Sequence, residues 1–435
     1  MDVLESPVVS PQPPPALHLT RRSSRRPRSR KTSESEVEVE PSASNSEETF
    51  IHWDELARSQ TMYSPRFDHG VVRKGNRIYL FGGDTGKMYS TSQYLGDFFK
   101  FDLEGVDCRN IHNDESILCD PQQKWVGIRV KSTAPAARAG HAMVAHRKRI
   151  HVYGGVGEAG KFDDFWSYDP DLNVWGRRAL GGDITPPARS HHTSLLHKNA
   201  MIVYGGSAYE GNGVVWSLDM STLIDSAVTN GEELPRCRAL HTAAIFEDCL
   251  YVFGGVMIDS IATPDELTDE LWCFDLNTMA WTNLTPDLPN RTNWPRKRAS
   301  HASVVIGNQW IIHGGRTHQP CPSTPFSTSE FKQKSEIVFE SHPTPSLSSL
   351  GSQIPLGDVW AFNFSTKTWE CLSNRSKTPS TELPGNLLDH FTLASRWGHD
   401  LVVCRNTKDS KGHPGKSQRS VFVTGGVTLA PLPLY

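Results

Sequence analysis

The chain has 435 residues, with 45 Lys and Arg against 48 Asp and Glu and a net charge of −3. That balance offers no basic face for nucleic acid, and no apolar run reaches the roughly 18 residues of a membrane span, so neither partner is expected. Eight cysteines, none in a Cys-x-x-Cys pair, fit reduced thiols better than disulfides or a zinc site.

Residues 1–49 hold seven prolines, ten serines and no aromatic residue. Such a segment buries too little apolar surface to offset the entropy of ordering it, and a disordered tail is expected. Its start, MDVLESPVVSPQPPP, lacks the apolar core of a secretory signal. Arg21 to Lys31 (RRSSRRPRSRK) places seven cations in eleven residues ahead of the acidic run ESEVEVE. This stretch reads as a solvated polyampholyte, or else as a nuclear import signal, an anionic-surface contact or a basophilic kinase site at Ser23 or Ser24. A cytoplasmic protein is the first expectation, and a nuclear one through Arg21 to Lys31 the alternative.

From Phe50 onward, tryptophans, Gly-Gly pairs and short apolar runs take over, and a search for repeats decides the reading. Six runs end in paired glycines: RIYLF at Gly82-Gly83, RIHVY at Gly154-Gly155, AMIVY at Gly205-Gly206, CLYVF at Gly254-Gly255, QWIIH at Gly314-Gly315 and SVFVT at Gly425-Gly426. Each predicts a strand closed by a turn. Upstream of each stands Arg-x-x-His, at Arg66/His69, Arg138/His141, Arg189/His192, Arg238/His241, Arg298/His301 and Arg396/His399. The interval from Arg to the first Gly is sixteen residues in five repeats and twenty-nine in the sixth, where the excess falls in NTKDSKGHPGKSQ. That interval holds two strands and a tight turn. A third strand ends in Asp or Asn (FFKFD at 98–102, WSYD at 166–169, WSLD at 216–219, WCFD at 272–275, WAFN at 360–363). A fourth carries Trp175, Trp281 or Trp369; Trp125 takes that place in the first repeat, and the third has Asp225 instead.

Four antiparallel strands repeated six times predict an all-β fold, a six-bladed β-propeller over residues 50–435. Disordered insertions are expected near 105–120, 316–356 and 405–419. The sixth repeat reaches Tyr435 without a third-strand motif, so an imperfect last blade is expected, an ending that fits a truncated chain. FIHWDEL at 50–56, with Trp53 in the Trp position, is expected to supply its outer strand.

Paired glycines, the Asp-ended third strand and the spaced Trp together resemble the kelch repeat over roughly residues 53–428. With Arg-x-x-His ahead of the first strand, the pattern is similar to the kelch repeats of leucine-zipper-like regulators and short kelch-domain proteins. The resemblance implies a ligand-recognition module, in some relatives a substrate receptor of a ubiquitin ligase, on a fold shared with galactose oxidase.

The glycines read as places where the backbone turns with positive φ and blades crowd; no phosphate-cradling Gly-x-x-x-x-Gly-Lys motif accompanies them. One His per blade points the same way around a ring, whereas metal ligands must converge on one ion. Structural histidines, no cofactor and no metal are therefore expected, and no catalytic residue is assigned. The alternative is a metal-dependent, oxidase-like enzyme on the same fold. Arg66, Arg138, Arg189, Arg238, Arg298 and Arg396 are the candidate partner-binding residues. Six guanidinium forks near one mouth of the channel suit an acidic peptide or a C-terminal carboxylate. The competing reading is that each Arg ties its blade together through backbone carbonyls. The Ser-, Thr- and Pro-rich insertion at 316–356 lies between strands two and three, where kelch proteins commonly build their binding face.

Overall fold

Each Gly-Gly run is the second strand of an antiparallel sheet. The structure is a computed structural model that describes residues 64, 66–86, 94–103, 125–181, 185–208, 214–223, 225–228, 234–258, 266–287, 291, 293–318, 354–373, 396–408 and 414–428. The first sheet orders Gly70–Lys74, Arg77–Phe81, Phe98–Asp102 and Val126–Gly127. Blade two repeats the order with Ala142–His146, Arg149–Tyr153, Phe165–Asp169 and Val174–Arg178, and blade three with Thr193–His197, Ala200–Tyr204, Val215–Asp219 and Asp225–Val228. Blade four holds Thr242–Phe246, Cys249–Phe253, Leu271–Asp275 and Ala280–Asn283; blade five holds Ala302–Ile306, Gln309–His313, Val359–Asn363 and Thr368–Cys371. The sixth unit is a hairpin of Arg396–Lys408 with Pro414–Thr428. Its ladder runs from Arg396↔Thr428 through the polar stretch to Lys408↔Pro414. Among the described residues the fold is all-β and contains no α-helix.

Local chemistry explains the repeat. First and second strands join through two-residue turns whose leading residue has left-handed φ: Gly75, Arg147, Lys198, Glu247 and Gly307. Such turns match the twist of a hairpin and fix its register. The Asp or Asn ending the third strand turns the chain into the fourth. Its side-chain oxygen accepts two backbone N–H groups at Asp169, Asp219, Asp275 and Asn363, an Asx turn.

The apolar cores lie between blades. Trp175 packs on Phe81 and Phe98 of blade one, Trp281 on Tyr204 of blade three, and Trp369 on Phe253 of blade four, at ring separations of 5.0–5.7 Å. Each fourth-strand Trp thus seals the seam with the blade before it. Blade three has no such Trp; the seam with blade two is filled by Met201, Trp216, Leu218 and Met220 around Tyr153.

First strands pack on one another in a closed circuit. Gly70–Lys74 meets Ala142–His146, and the contacts continue through Thr193–His197, Thr242–Phe246 and Ala302–Ile306 to Arg396–Lys408, which returns to Gly70–Lys74. The hairpin therefore occupies the sixth blade position and closes the ring. Trp53 with FIHWDEL, residues 1–49 and nearly all of the insertions at 105–120 and 316–356 lie outside the described residues.

Candidate functional site

The sixteen-residue interval is a hydrogen bond. Nη1 of Arg66, Arg138, Arg189, Arg238 and Arg298 donates to the carbonyl of Gly82, Gly154, Gly205, Gly254 and Gly314 at 2.9–3.4 Å. Nε donates to the carbonyl two residues back at 2.9–3.2 Å. All five side chains are buried. In four blades the rest of the fork meets the residue just before the third strand: Asp97, Asp164, Glu270 and Asp358 accept from Nη2 at 2.7–3.0 Å. Burial pushes the Asp164, Glu270 and Asp358 carboxyls up, yet Arg138 with Trp166 holds Asp164 below the usual range, and Trp272 with Arg238 does the same for Glu270. Arg298 and Trp360 take Asp358 down to about 2 against the same penalty. None of these five arginines lines the central cavity. The side chain of Arg396 lies outside the described residues.

The histidines lock neighbouring blades. His141, His192, His241 and His301 each stand edge-on to the aromatic residue before Gly-Gly of the preceding blade, Phe81, Tyr153, Tyr204 and Phe253, with centroids 5.3–5.7 Å apart. Between blades five and six that aromatic is His313, whose Nδ1 lies 2.8 Å from Nε2 of His399. The close approach explains the paired glycines. At Gly205 (φ +66°) a Cβ would sit 2.5 Å from the His241 ring and 2.6 Å from the Arg238 carbonyl. The N–H of the following Gly206 donates to that carbonyl at 2.9 Å. Burial lowers the pKa of His69 to about 4 and of His241 to about 3, and puts His141, His192 and His301 well below the ordinary value. These five imidazoles are therefore neutral at physiological pH. Among the described residues no group of three or more His, Cys, Asp or Glu is arranged to hold a metal ion.

Between each Arg and His sits a residue the repeat pattern leaves free: Asp68, Gly140, His191, Leu240, Ser300 and Gly398. All six have φ between +51° and +64°. Their backbones form a closed cycle around the axis: Gly140 N–H to Asp68, His191 to Gly140, Leu240 to His191, Ser300 to Leu240, Gly398 to Ser300 and Asp68 to Gly398, at 2.7–3.1 Å. Left-handed φ at Leu240 costs about 1 kcal/mol, which the cycle offsets. His191 reaches over Gly140 to place Nε2 3.2 Å from Oδ2 of Asp68; a Cβ on Gly140 would lie 2.8 Å from that imidazole. These residues were not singled out from the sequence. The available signal was variation inside a constant frame, with Asp, Gly, His, Leu, Ser and Gly at one position of Arg-x-x-His.

Below the mouth lies a cavity of about 280 Å³, lined in part by Thr193, Ser194, Thr242, Ser303 and Asp400. Burial pushes the Asp400 carboxyl up to about 7, against the backbone N–H groups of Leu401 and Val71.

A closed ring of sheets held by a repeated Arg–His–Gly-Gly frame, with unlike side chains around one mouth, defines a β-propeller of the protein-interaction class. The KLHDC2/KLHL20/DRC7 Kelch-repeats domain matches residues 47–255 and 182–384, and the chain belongs to the kelch-repeat family. It is 24% identical over 274 residues to the leucine-zipper-like transcriptional regulator 1 homolog of Drosophila melanogaster, covering 60% of this chain and 25% of that protein. It is 26% identical over 278 residues to Host cell factor 1 of Homo sapiens, covering 57% and 13%, and 27% identical over 277 residues to Host cell factor of Drosophila melanogaster, covering 57% and 17%. The chain spans at most a quarter of the length of these relatives. No helix among the described residues is long and apolar enough to cross a membrane.

Proposed function

We propose that this propeller is a non-catalytic recognition module that takes a peptide segment of a partner protein at the channel mouth and the surrounding loop face. One observation carries the reading: six equivalent positions share one backbone conformation on a closed cycle yet differ in chemistry, from Asp68 and His191 to Leu240 and Ser300. Scaffold positions repeat, whereas positions that vary within a rigid frame are where specificity is written. A peptide library displayed against the purified chain tests this. Asp68→Asn and Ser300→Asn, which keep a residue tolerant of left-handed φ, should each weaken the selected peptide about tenfold with little change in the melting temperature. Failure to select any peptide, or wild-type affinity in both variants, would remove the mouth as the site.

Two finer roles are part of the proposal. Presentation of the partner to a ubiquitin ligase rests on the kelch resemblance alone. A propeller that binds its peptide yet forms no complex with ligase subunits on size-exclusion chromatography would end it. Nuclear residence would come from residues 21–31. Alanine at the arginines of that stretch should then move a tagged protein from nucleus to cytoplasm, and a wild type already cytoplasmic would refute the signal.

A further inference from the structure

The cavity of about 280 Å³ is a passage that starts at the mouth. It is lined by all six mouth residues, by the histidines that follow them and by the beginnings of the first strands. No Lys or Arg lines it, and its two acids are Asp68 and Asp400. Asp68 stands at the mouth and is paired with His191. Asp400 follows His399, and the residues in its place in the other blades are Gly70, Ala142, Thr193, Thr242 and Ala302. Two residues beyond Gly398, it lies about 7 Å along the strand from the mouth. Its Oδ1 accepts the N–H of Leu401 at 2.9 Å, and the N–H of Val71 also donates to the carboxyl. No cation among the described residues offsets its charge, and burial pushes the carboxyl up to about 7. Even so, Asp400 keeps part of its surface accessible, as do Thr193 and Ser303 on the same wall.

We infer that the passage binds a primary alkylammonium group, which enters at the mouth and pairs with Asp400. A carboxylate enclosed by protein, with backbone donors but no counter-charge, is relieved by a cation. An anion would meet Asp68 and then Asp400, and the neutral imidazoles of His69, His141, His192, His241 and His301 would not attract it. A lysine carries its ammonium on a flexible four-carbon stem, which matches the descent from the mouth to Asp400. Thr193 and Ser303 add hydroxyl oxygens as further acceptors to the same wall. Stability alone does not explain an acid here, since five blades fill the position without a charge, and groups that cost stability are kept where function uses them. Two sources share this chemistry: the lysine of a bound peptide and a free amine. The inference deepens the proposed recognition role by naming its anchor group, and it rests on that role only in the peptide case.

The test uses the full chain at about pH 8, where Asp400 is ionised, and n-butylammonium chloride as the probe, with sodium chloride and butanol as controls. It reads the side-chain carboxyl carbon resonance of Asp400, assigned by its loss in Asp400→Asn. The probe should shift this resonance saturably, and neither control should. It should also raise the melting temperature of the wild type and leave that of Asp400→Asn unchanged. If the ammonium comes from a peptide, norleucine in place of its lysine should weaken binding about tenfold to the wild type and not to Asp400→Asn. If it comes from a free amine, that replacement changes nothing and the diamine putrescine displaces n-butylammonium. An unmoved Asp400 resonance, an equal shift with butanol, or the same melting gain in Asp400→Asn would overturn the site. The n-butylammonium result stands whether or not a peptide is selected at the mouth, so either proposal can fail alone.

Discussion

Asp358→Ala should lower the stability of the propeller by about 3 kcal/mol, read as a reduced urea midpoint at unchanged slope. The carboxylate accepts Arg298 Nη1 and Nη2 at 2.8 and 2.7 Å and Trp360 Nε1 at 2.7 Å, and Arg298 is fully buried. Its pKa of about 2 sets the scale. Each pKa unit is worth about 1.4 kcal/mol, so the depressed value corresponds to roughly 2–3 kcal/mol at neutral pH. That stability is present above about pH 4 and is lost as the pH falls through the folded-state value. Removing the carboxylate also strands a buried cation and an indole N–H, which adds to the loss. The pair Arg77–Asp102, with side chains 49% and 45% exposed, is the control. Asp102→Ala should cost less than about 1 kcal/mol, since solvent screens that pair. Equal losses in the two variants would refute the assignment of the Arg–acid pairs as the internal braces of the blades.

The interval of sixteen residues was legible because it is a contact: Nη1 of the Arg finds the Gly carbonyl at the far end of a hairpin whose two-residue turn allows no slack. The Asp or Asn ending the third strand was legible for the same reason, being a local turn. The acid that completes the Arg brace was not. It stands at the far side of a loop whose length differs in every blade, and it is Asp in three blades, Glu in one and Val in another. Only the geometry places Asp97, Asp164, Glu270 and Asp358 in one structural position and makes Val214 conspicuous. The polar stretch of the sixth repeat misleads in a different way. A ladder such as Arg405↔Arg419 and Asn406↔Gln418 is held by backbone groups, so strand continues where no apolar alternation announces it. The mouth residues escaped because attention to what repeats passes over what does not.

Acidification from about pH 7 to 4 should destabilise the protein more than any single surface substitution, and the histidines that lock the blades are the cause. Burial lowers His69 to about 4 and His241 to about 3, and puts His141, His192 and His301 well below the ordinary value. The unfolded chain takes up protons on these residues near pH 6.5 while the folded one does not, so stability falls as the pH falls below that value. His69 alone accounts for about 3 kcal/mol by pH 4. Asp400 works in the opposite sense. With its carboxyl raised to about 7, the folded state keeps a proton that the unfolded chain releases near pH 4, and stability falls as the pH rises across that window. Five histidines outweigh one aspartate, so the net slope follows the imidazoles. Asp400→Asn should therefore raise the melting temperature at pH 7.5 and make the loss between pH 7.5 and 5 steeper. His241→Gln should make it shallower, because a side chain that never takes a proton cannot favour the unfolded state at low pH. Melting temperatures that are flat from pH 7.5 to 5 in the wild type and in Asp400→Asn alike would show that the inter-blade imidazoles are not held neutral by the fold.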